Sequence, residues 1–426
     1  MNSAILVAVF VVLLLLGAPI AYSLGLSCIV YLIFLSDMPM IMLAQRYTAS
    51  LDSFPLMAIP FFILAGDLMN TGGITERLVK LAMSMVGHVR GGLAHTVVVT
   101  NMIMAGMSGS SVADCAGTGM VLIPAMKKEG YTPDVAAGVV ASAATIGPII
   151  PPSVPFVLYG CMSGTSITAL FVGGFIPGVM MGLALMVLLY RMAKRQNMPA
   201  HRRATFAEFM ASFWSAFLAL GMPMIIMGGI IFGIFTPTEA AAVAAVYAAL
   251  IGMFVYHELG PISLLKVVKS SVYRAASVLF IFVNASVFSW IIGVERLPDL
   301  AVSWVLSITS DKDLVLLILN VFLLIAGCLL DPTPIILITV PVLSVLIAKV
   351  GIDPVHFGVV MVLNLMIGLL TPPVGLNLYI VSNIAEISFW RAFKGTAPFI
   401  VPLIIVLIII TYVPETVLWL PRLILK

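Results

Sequence analysis

The sequence IGPIIPP occupies residues 146–152, and the related sequence IGLLTPP occupies residues 367–373, a constant 221 positions later. Each motif lies inside a long apolar run. Paired prolines end a helix, because proline has no backbone N–H to donate and its ring clashes with the preceding turn. The two motifs therefore predict two hydrophobic helices broken at matching places. Inside a membrane, such breaks are tolerated only where they are buried in protein or line a cavity.

The composition requires lipid as the solvent for much of the chain. Of its 426 residues, 62% are hydrophobic and only 9% are charged, whereas a soluble domain is usually about a quarter charged. Strands of a membrane barrel would show alternating polarity over about ten residues, but the apolar runs here are continuous and longer. We predict an all-α polytopic membrane protein.

The basic residues indicate an orientation. Five of them fall within residues 191–203: Arg191, Lys194, Arg195, Arg202 and Arg203. Basic loops stay in the cytoplasm, so we predict that this linker is cytoplasmic. The cluster is isolated, and we expect no nucleic-acid binding.

Matching features divide the chain into two predicted repeats, residues 1–203 and 204–426. Asp114 matches Asp331 at an offset of 217, and Gly130 matches Gly351 at an offset of 221. Each repeat is predicted to contain leading helices, a hairpin and a broken helix. In the first repeat, the leading helices end near residue 87, the hairpin spans 91–126 and the broken helix spans 132–162. In the second repeat, the leading helices end near residue 310, the hairpin spans 314–347 and the broken helix spans 354–384.

The hairpins are predicted from two apolar runs that are split near their middle. In the first, residues 106–111 (GMSGSS) separate Thr96–Met107 from Val112–Met126, and each part is too short to cross about 30 Å of hydrocarbon. This pattern predicts a re-entrant hairpin with a small polar tip.

Two further local features can be predicted in the second half. Thr236 and Glu239 have the spacing of a capping box, and residues 257–269 are polar enough to lie at the membrane interface.

A broken helix exposes unpaired backbone groups on both sides of the break. The new N-terminus favours an anion and the new C-terminus favours a hard cation. We therefore predict two cation sites, each between a hairpin tip and the neighbouring break, with an anionic substrate between them. The sodium candidates are Gly106, Ser108, Ser110, Ser111, Gly147, Pro148, Pro151, Gly327, Asp331, Gly368, Thr371 and Gly375. The substrate candidates are Ser108, Ser110, Asp114, Ser153, Thr333 and Asn377.

Several of these residues have a purely structural alternative. Ser111 and Asp114 have the S-x-x-D spacing of a helix cap, and Asp331 before Pro332 is typical of an N-cap. The tip serines could serve only close helix packing. We expect Asp67, Asn70, His88, Arg90 and His95 at the membrane interface, and His356 exposed at a helix start.

Other functional classes remain open at this point. The sequence GMSG at residues 106–109 matches the G-x-S-G of intramembrane serine proteases, but no histidine lies deep in a later span to act as its base. The chain has no phosphate-binding loop, so it does not hydrolyse ATP by itself. A membrane component of an ATP-driven importer or of a proton-pumping complex also remains possible, although the latter would place lysines and glutamates mid-span.

Five stretches together resemble the large membrane subunit of TRAP transporters, the tripartite ATP-independent periplasmic transporters. They are AGMSGSSVAD at 105–114, GPIIPPS at 147–153, FTPTEA at 235–240, PFFILAG at 60–66 and GIDP at 351–354. The resemblance covers nearly the whole chain.

The resemblance implies two inverted repeats, with scaffold helices and a transport domain that moves as an elevator. It implies no cofactor, sodium as the coupling ion, and import of a carboxylate such as sialic acid or a C4-dicarboxylate across a bacterial inner membrane. It also implies a small membrane subunit and a periplasmic substrate-binding protein as partners. By motif, Ser108, Ser110 and Asp114 become the foremost site residues. A secondary anion transporter without a binding protein is the alternative.

Overall fold

The computed structural model describes residues 2–196 and 198–425, and this part of the chain is helical without strands. The first half contains α1 Asn2–Leu15, α2 Ile20–Phe34, α3 Ile41–Leu51, α4 Ala58–Thr71, α5 Ile74–Val86, α6 Gly92–Ser108, α7 Ser111–Lys128, α8 Pro133–Ala144, α9 Val154–Ser163 and α10 Ile167–Arg195. The second half contains α11 Phe206–Ile231, α12 Pro237–Leu250, α13 Pro261–Val294, α14 Leu297–Ile308, α15 Lys312–Leu329, α16 Pro332–Val350, α17 Pro354–Gly368, α18 Leu376–Ala385, α19 Phe389–Tyr412 and α20 Glu415–Ile424.

The predicted fold class is confirmed. Within the described residues, 8 helices are long and apolar enough to cross a membrane. Large apolar side chains such as Phe232 and Met224 point outward with 81% and 73% of their surface exposed, which suits contact with lipid.

Both predicted helix breaks are present. Between α8 and α9, residues 145–153 form a buried non-helical segment, and residues 369–375 separate α17 from α18. The peptide bonds Pro151–Pro152 and Pro372–Pro373 are both cis. The two motifs that define the repeat therefore interrupt their helices in the same way.

The first hairpin turns at the predicted tip, but its arms are longer than expected. Gly109 adopts φ +61°, which glycine reaches without steric cost, and Ser110 then caps α7. The arms have 17 and 18 residues, or about 26 Å each at 1.5 Å per residue. They extend because α6 starts directly after left-handed Gly91 and because Lys127 and Lys128 favour the C-terminal end of α7.

The two halves interlock around the breaks. The second hairpin arm of each half packs against the helix that follows the break in the other half, so that α7 contacts α18 and α16 contacts α9. Helices α4 and α13 pack together and stand against the hairpins. Hairpin and broken helix recur in the same order in both halves, while the boundary between residues 203 and 204 and the inverted symmetry of the repeats stay predictions.

Three local predictions have different outcomes. The capping box at Thr236 and Glu239 forms as expected, because it depends only on neighbouring residues. The expected exposure of His356 is wrong: the side chain is fully buried, and its Nε2 lies 2.7 Å from the carbonyl oxygen of Ile410 on α19. Residues 261–269, expected at the interface, belong to the continuous 34-residue helix α13.

The helix before the second break touches the second hairpin through two glycines. A Cβ added at Gly368 would lie 2.6 Å from the backbone carbonyl of Gly327, a distance that real side chains do not tolerate. We expect Gly368→Ala to destabilise the protein by about 1–3 kcal/mol through overpacking, measured as a lower thermal unfolding midpoint in detergent. Gly228→Ala on α11 is the control, because a Cβ there meets nothing within 4 Å; equal midpoints for both variants would contradict the close approach.

Candidate functional site

A cavity of about 500 Å³ lies where the two hairpin tips meet the two breaks. The tips contribute Ser108, Ser110 and Thr333, among others. The cavity lining at the breaks consists of Pro148, Val154 and Pro155 in the first half and Met366, Leu369 and Leu376 in the second. A third wall is formed by α4 and α13. The cavity is thus enclosed by elements from both halves of the chain.

The first hairpin tip presents hydroxyl groups to this cavity. Ser108, Ser110 and Ser111 all line it, and the Ser110 hydroxyl accepts a hydrogen bond from Ala113 N at 3.4 Å. A Cβ on Gly109 would lie 2.8 Å from the carbonyl oxygen of Pro152. The tip therefore rests directly on the first break, the neighbourhood in which the sequence predicted a cation site.

Asp114 lies behind the tip and does not line the cavity. The expectation that Ser111 and Asp114 form a cap is wrong, because Ser110 caps α7 and Asp114 sits one turn inside the helix. The carboxylate is fully buried, and neither oxygen has a hydrogen-bond partner among the described residues. Its Oδ2 is pressed against Gly147 at the first break, where a side chain would collide with it.

At the second tip the aspartate has a different role. Asp331 caps α16 as predicted, accepting a hydrogen bond from Thr333 N at 3.0 Å, and both residues line the cavity. Behind them, the Thr371 hydroxyl donates to the carbonyl oxygen of Gly368 at 2.8 Å and lies 2.9 Å from Cys328 Sγ. Val374 N donates to the carbonyl oxygen of Cys328 at 3.2 Å, which ties the second break to its hairpin.

The remaining predicted residues support the site from behind. Ser153 caps α9 by accepting from Phe156 N at 3.2 Å. Asn377 donates to the Ser111 hydroxyl at 2.8 Å and to the carbonyl oxygen of Ala141 at 3.2 Å. Gly375, at φ +51°, precedes α18.

Three of the six substrate candidates therefore line the cavity, namely Ser108, Ser110 and Thr333, whereas Asp114, Ser153 and Asn377 do not. Among the sodium candidates, Pro148 also lines the cavity. Gly106 packs against Pro223, and a Cβ added at Gly106 would lie 4.0 Å from the carbonyl oxygen of Pro151. The individual ligand roles of these residues stay predictions.

The third wall contains residues that the sequence analysis missed. Arg274 on α13 lines the cavity and forms an ion pair with Asp67 on α4, and the Ser271 hydroxyl donates to the same carboxylate oxygen. Asp67 was expected at the interface but is buried, and so is His95. A charged side chain inside the apolar run of residues 60–69 is costly in a membrane. The position of Asp67 in that run could therefore have indicated a functional residue from the sequence.

A largely apolar cavity with a few convergent polar side chains, placed between paired helix breaks and surrounded by apolar helices, defines a secondary transporter rather than an enzyme pocket. Residues 7–416 match the family model described as the tripartite ATP-independent periplasmic transporter, DctM component. The chain belongs to this family.

Two relatives and one solved structure illustrate the likeness. The chain is 42% identical over 413 residues to the sialic acid TRAP transporter large permease protein of Vibrio cholerae, covering 97% of both. It is 40% identical over 400 residues to the C4-dicarboxylate TRAP transporter large permease protein of Pseudomonas aeruginosa, covering 94% of both. The fold resembles the Alcanivorax borkumensis YdaH transporter, with a TM-score of 0.60 and 13% identity over 94% of this chain and 96% of that one.

Family membership resolves the open alternatives among functional classes. The chain is the large permease component of a TRAP transporter, a polytopic membrane protein and not an enzyme. The protease reading of residues 106–109 is wrong, since Ser108 belongs to a hairpin tip that rests on the first break.

The hydrogen bond between Asn377 and Ser111 joins the two halves, and its strength can be measured. We expect Asn377→Ala and Ser111→Ala to be coupled by about 1 kcal/mol in a double-mutant cycle on unfolding free energy, because both remove one buried hydrogen bond. Ser382→Ala is the matched control on α18, since that hydroxyl bonds only to Tyr379 of its own helix. Coupling of equal size between Ser382 and Ser111 would contradict the assignment.

Proposed function

We propose that this chain is the transport subunit of a sodium-coupled system that imports an organic carboxylate across the bacterial inner membrane. The observation that carries the proposal is the cavity between the two hairpin tips and the two breaks, with Arg274 as the basic group on its wall. Relatives of this chain include transporters of sialic acid and of C4-dicarboxylates, which supports a carboxylate of one of these classes.

The buried Asp114 carboxylate supports a cation at the first break. A buried carboxylate without hydrogen-bond donors is strongly unfavourable unless a cation or a proton neutralises it. Hydroxyl and carbonyl oxygens of Ser108 and Gly147 are of the type that hard cations bind. The corresponding second site, around Gly327, Gly368 and Thr371, is proposed from the recurrence of the same elements, with Thr371 and backbone carbonyls as ligands.

The proposed movement follows from the packing. Because α7 contacts α18 and α16 contacts α9, the hairpins and broken helices form one interlocked body, and α4 and α13 are the wall against which it would slide. Gly66 on α4 allows this wall to approach the tip closely, since its added Cβ would lie 3.3 Å from Ser108 Cα. An elevator-type displacement of this body would carry substrate and ions together.

The proposed partners are a small membrane subunit and a periplasmic substrate-binding protein, as the family name implies for a tripartite system. We place the basic linker 191–203, in which residue 197 lies outside the described part, on the cytoplasmic side by the distribution of positive charge. An anion transporter that works without a binding protein is the second candidate, since a cavity with Arg274 on its wall could serve such a protein as well.

Uptake into proteoliposomes tests the proposal. With the small subunit reconstituted and the binding protein supplied, an inward sodium gradient should drive accumulation of radiolabelled N-acetylneuraminate or succinate. Equal uptake in potassium would reject sodium coupling, and equal uptake without the binding protein would favour the second candidate.

Asp114 can be tested separately. We expect Asp114→Asn to raise the sodium concentration for half-maximal uptake at least about tenfold, because the loss of a charge-assisted ligand is worth about 1.5–3 kcal/mol. Asp134→Asn is the matched control, as this aspartate on α8 is paired with Arg391 outside the cavity. An unchanged sodium dependence in Asp114→Asn would remove Asp114 from the proposed ion site.

A further inference from the structure

Acidic side chains outnumber basic ones among the described residues that line the cavity. Asp67 and Asp331 contribute two carboxylates, and Arg274 is the single basic side chain among the described lining residues. The charge of Asp67 is offset by its ion pair with Arg274, whereas Asp331 would repel a carboxylate solute at short range. Asp331 already accepts the backbone N–H of Thr333 at the start of α16. Arg274 is therefore the charged side chain among the described lining residues that can attract an incoming anion.

Only part of the Arg274 guanidinium is engaged in contacts within the described protein. Asp67 Oδ2 pairs with one terminal nitrogen, while half of the Arg274 side chain remains exposed and the Asp67 side chain is 10% exposed. A guanidinium carries five N–H donors in one plane and binds carboxylates in a bidentate manner. One edge of the fork is thus fixed by a buried carboxylate and another edge remains available towards the cavity.

Ser271 completes this arrangement. It lies one turn before Arg274 on α13, and its hydroxyl donates to the same Asp67 oxygen that receives the guanidinium. Two side chains of α13, Ser271 and Arg274, therefore bind one oxygen of a carboxylate that belongs to α4. Such support restricts the side-chain conformations of Arg274 before any ligand binds, which lowers the entropy cost of binding.

A basic stripe on α13 leads to this position. Lys266, Lys269, Tyr273 and Ser277 recur at intervals of three and four residues and so share one helix face. Tyr273 and Ser277 line the cavity, and both lysines are exposed one to two turns before them. Positive charge along an approach to a concave site raises the local concentration of anions.

We propose that Arg274 binds the carboxylate of the transported acid, with Asp67 and Ser271 as positioning residues that hold the guanidinium. This inference deepens the proposed carboxylate uptake and rests on it. Arg274 on the α4–α13 wall and the serines of the first hairpin tip line the same cavity, so the bound acid contacts both the wall and the tip. Displacement of the interlocked body along that wall must break the contact with Arg274.

The test compares an acid with its uncharged analogue in the complete transporter. In proteoliposomes containing the small subunit and the binding protein, N-acetylneuraminate or succinate, whichever is taken up, competes as a labelled substrate with its own unlabelled acid or carboxamide. We expect the wild type to prefer the acid at least about tenfold, and Arg274→Gln to lose this preference while its KM rises at least about tenfold. Arg274→Lys should fall between them, since it keeps the charge but not the fork.

Two further variants separate binding from folding. Arg274→Gln leaves Asp67 buried without its partner, so the double variant Asp67→Asn/Arg274→Gln removes both charges and should show the same loss of acid preference. Arg77→Lys is the matched control, because Arg77 is ion-paired to Glu258 at 2.8 Å near the same wall but does not line the cavity; it should keep the wild-type preference.

A wild-type preference for the acid in the double variant would overturn the assignment of Arg274. That result differs from failure of the proposed function, which would appear in the wild type itself as uptake that ignores sodium or carboxylate. A loss of preference in Arg77→Lys as well would attribute the effect to the stability of the wall and would equally overturn a direct role for Arg274.

Discussion

The arrangement of this protein depends on the need to satisfy backbone polar groups inside hydrocarbon. Each break leaves N–H and C=O groups that lipid cannot bond, and each is covered by a hairpin of the same half. The first break is buried throughout, with Gly109 resting on Pro152. In the second break, Val374 N donates a backbone hydrogen bond to the carbonyl oxygen of Cys328 on the hairpin, and Gly368 contacts Gly327. The cavity of about 500 Å³ lies where the two hairpins meet.

The two matching aspartates show how similar elements acquire different chemistry. Asp331 accepts the Thr333 N–H and so serves the helix start from the edge of the cavity. Asp114 does not cap α7, since Ser110 does so. Its carboxylate is buried against Gly147 without a hydrogen-bond donor among the described residues. The same residue type at equivalent places is thus stabilised by a backbone N–H in one half, whereas in the other half its burial favours a bound cation or a proton. Any ion sites at the two breaks are consequently unequal.

Features that depend on neighbouring residues could be read from the sequence, and features that depend on distant contacts could not. The breaks, the hairpin tip and the caps at Thr236 and Asp331 follow from proline, glycine and hydroxyl residues at fixed spacing. The ion pair between Asp67 and Arg274 joins residues 207 positions apart, so no local pattern indicates it. His356 was misjudged for the same reason, since its partner carbonyl belongs to Ile410 on α19.

The crossed packing of the halves has a consequence for how the chain is made. Helix α9 finds its neighbour α16, and α7 finds α18, only after the second half has been synthesised and inserted. Until then the buried polar tip of the first hairpin, including Ser111, lacks the Asn377 side chain that later bonds it. A nascent first half is thus an incomplete intermediate in the bilayer, whose polar tip acquires its last hydrogen-bond partner only when the second half folds against it.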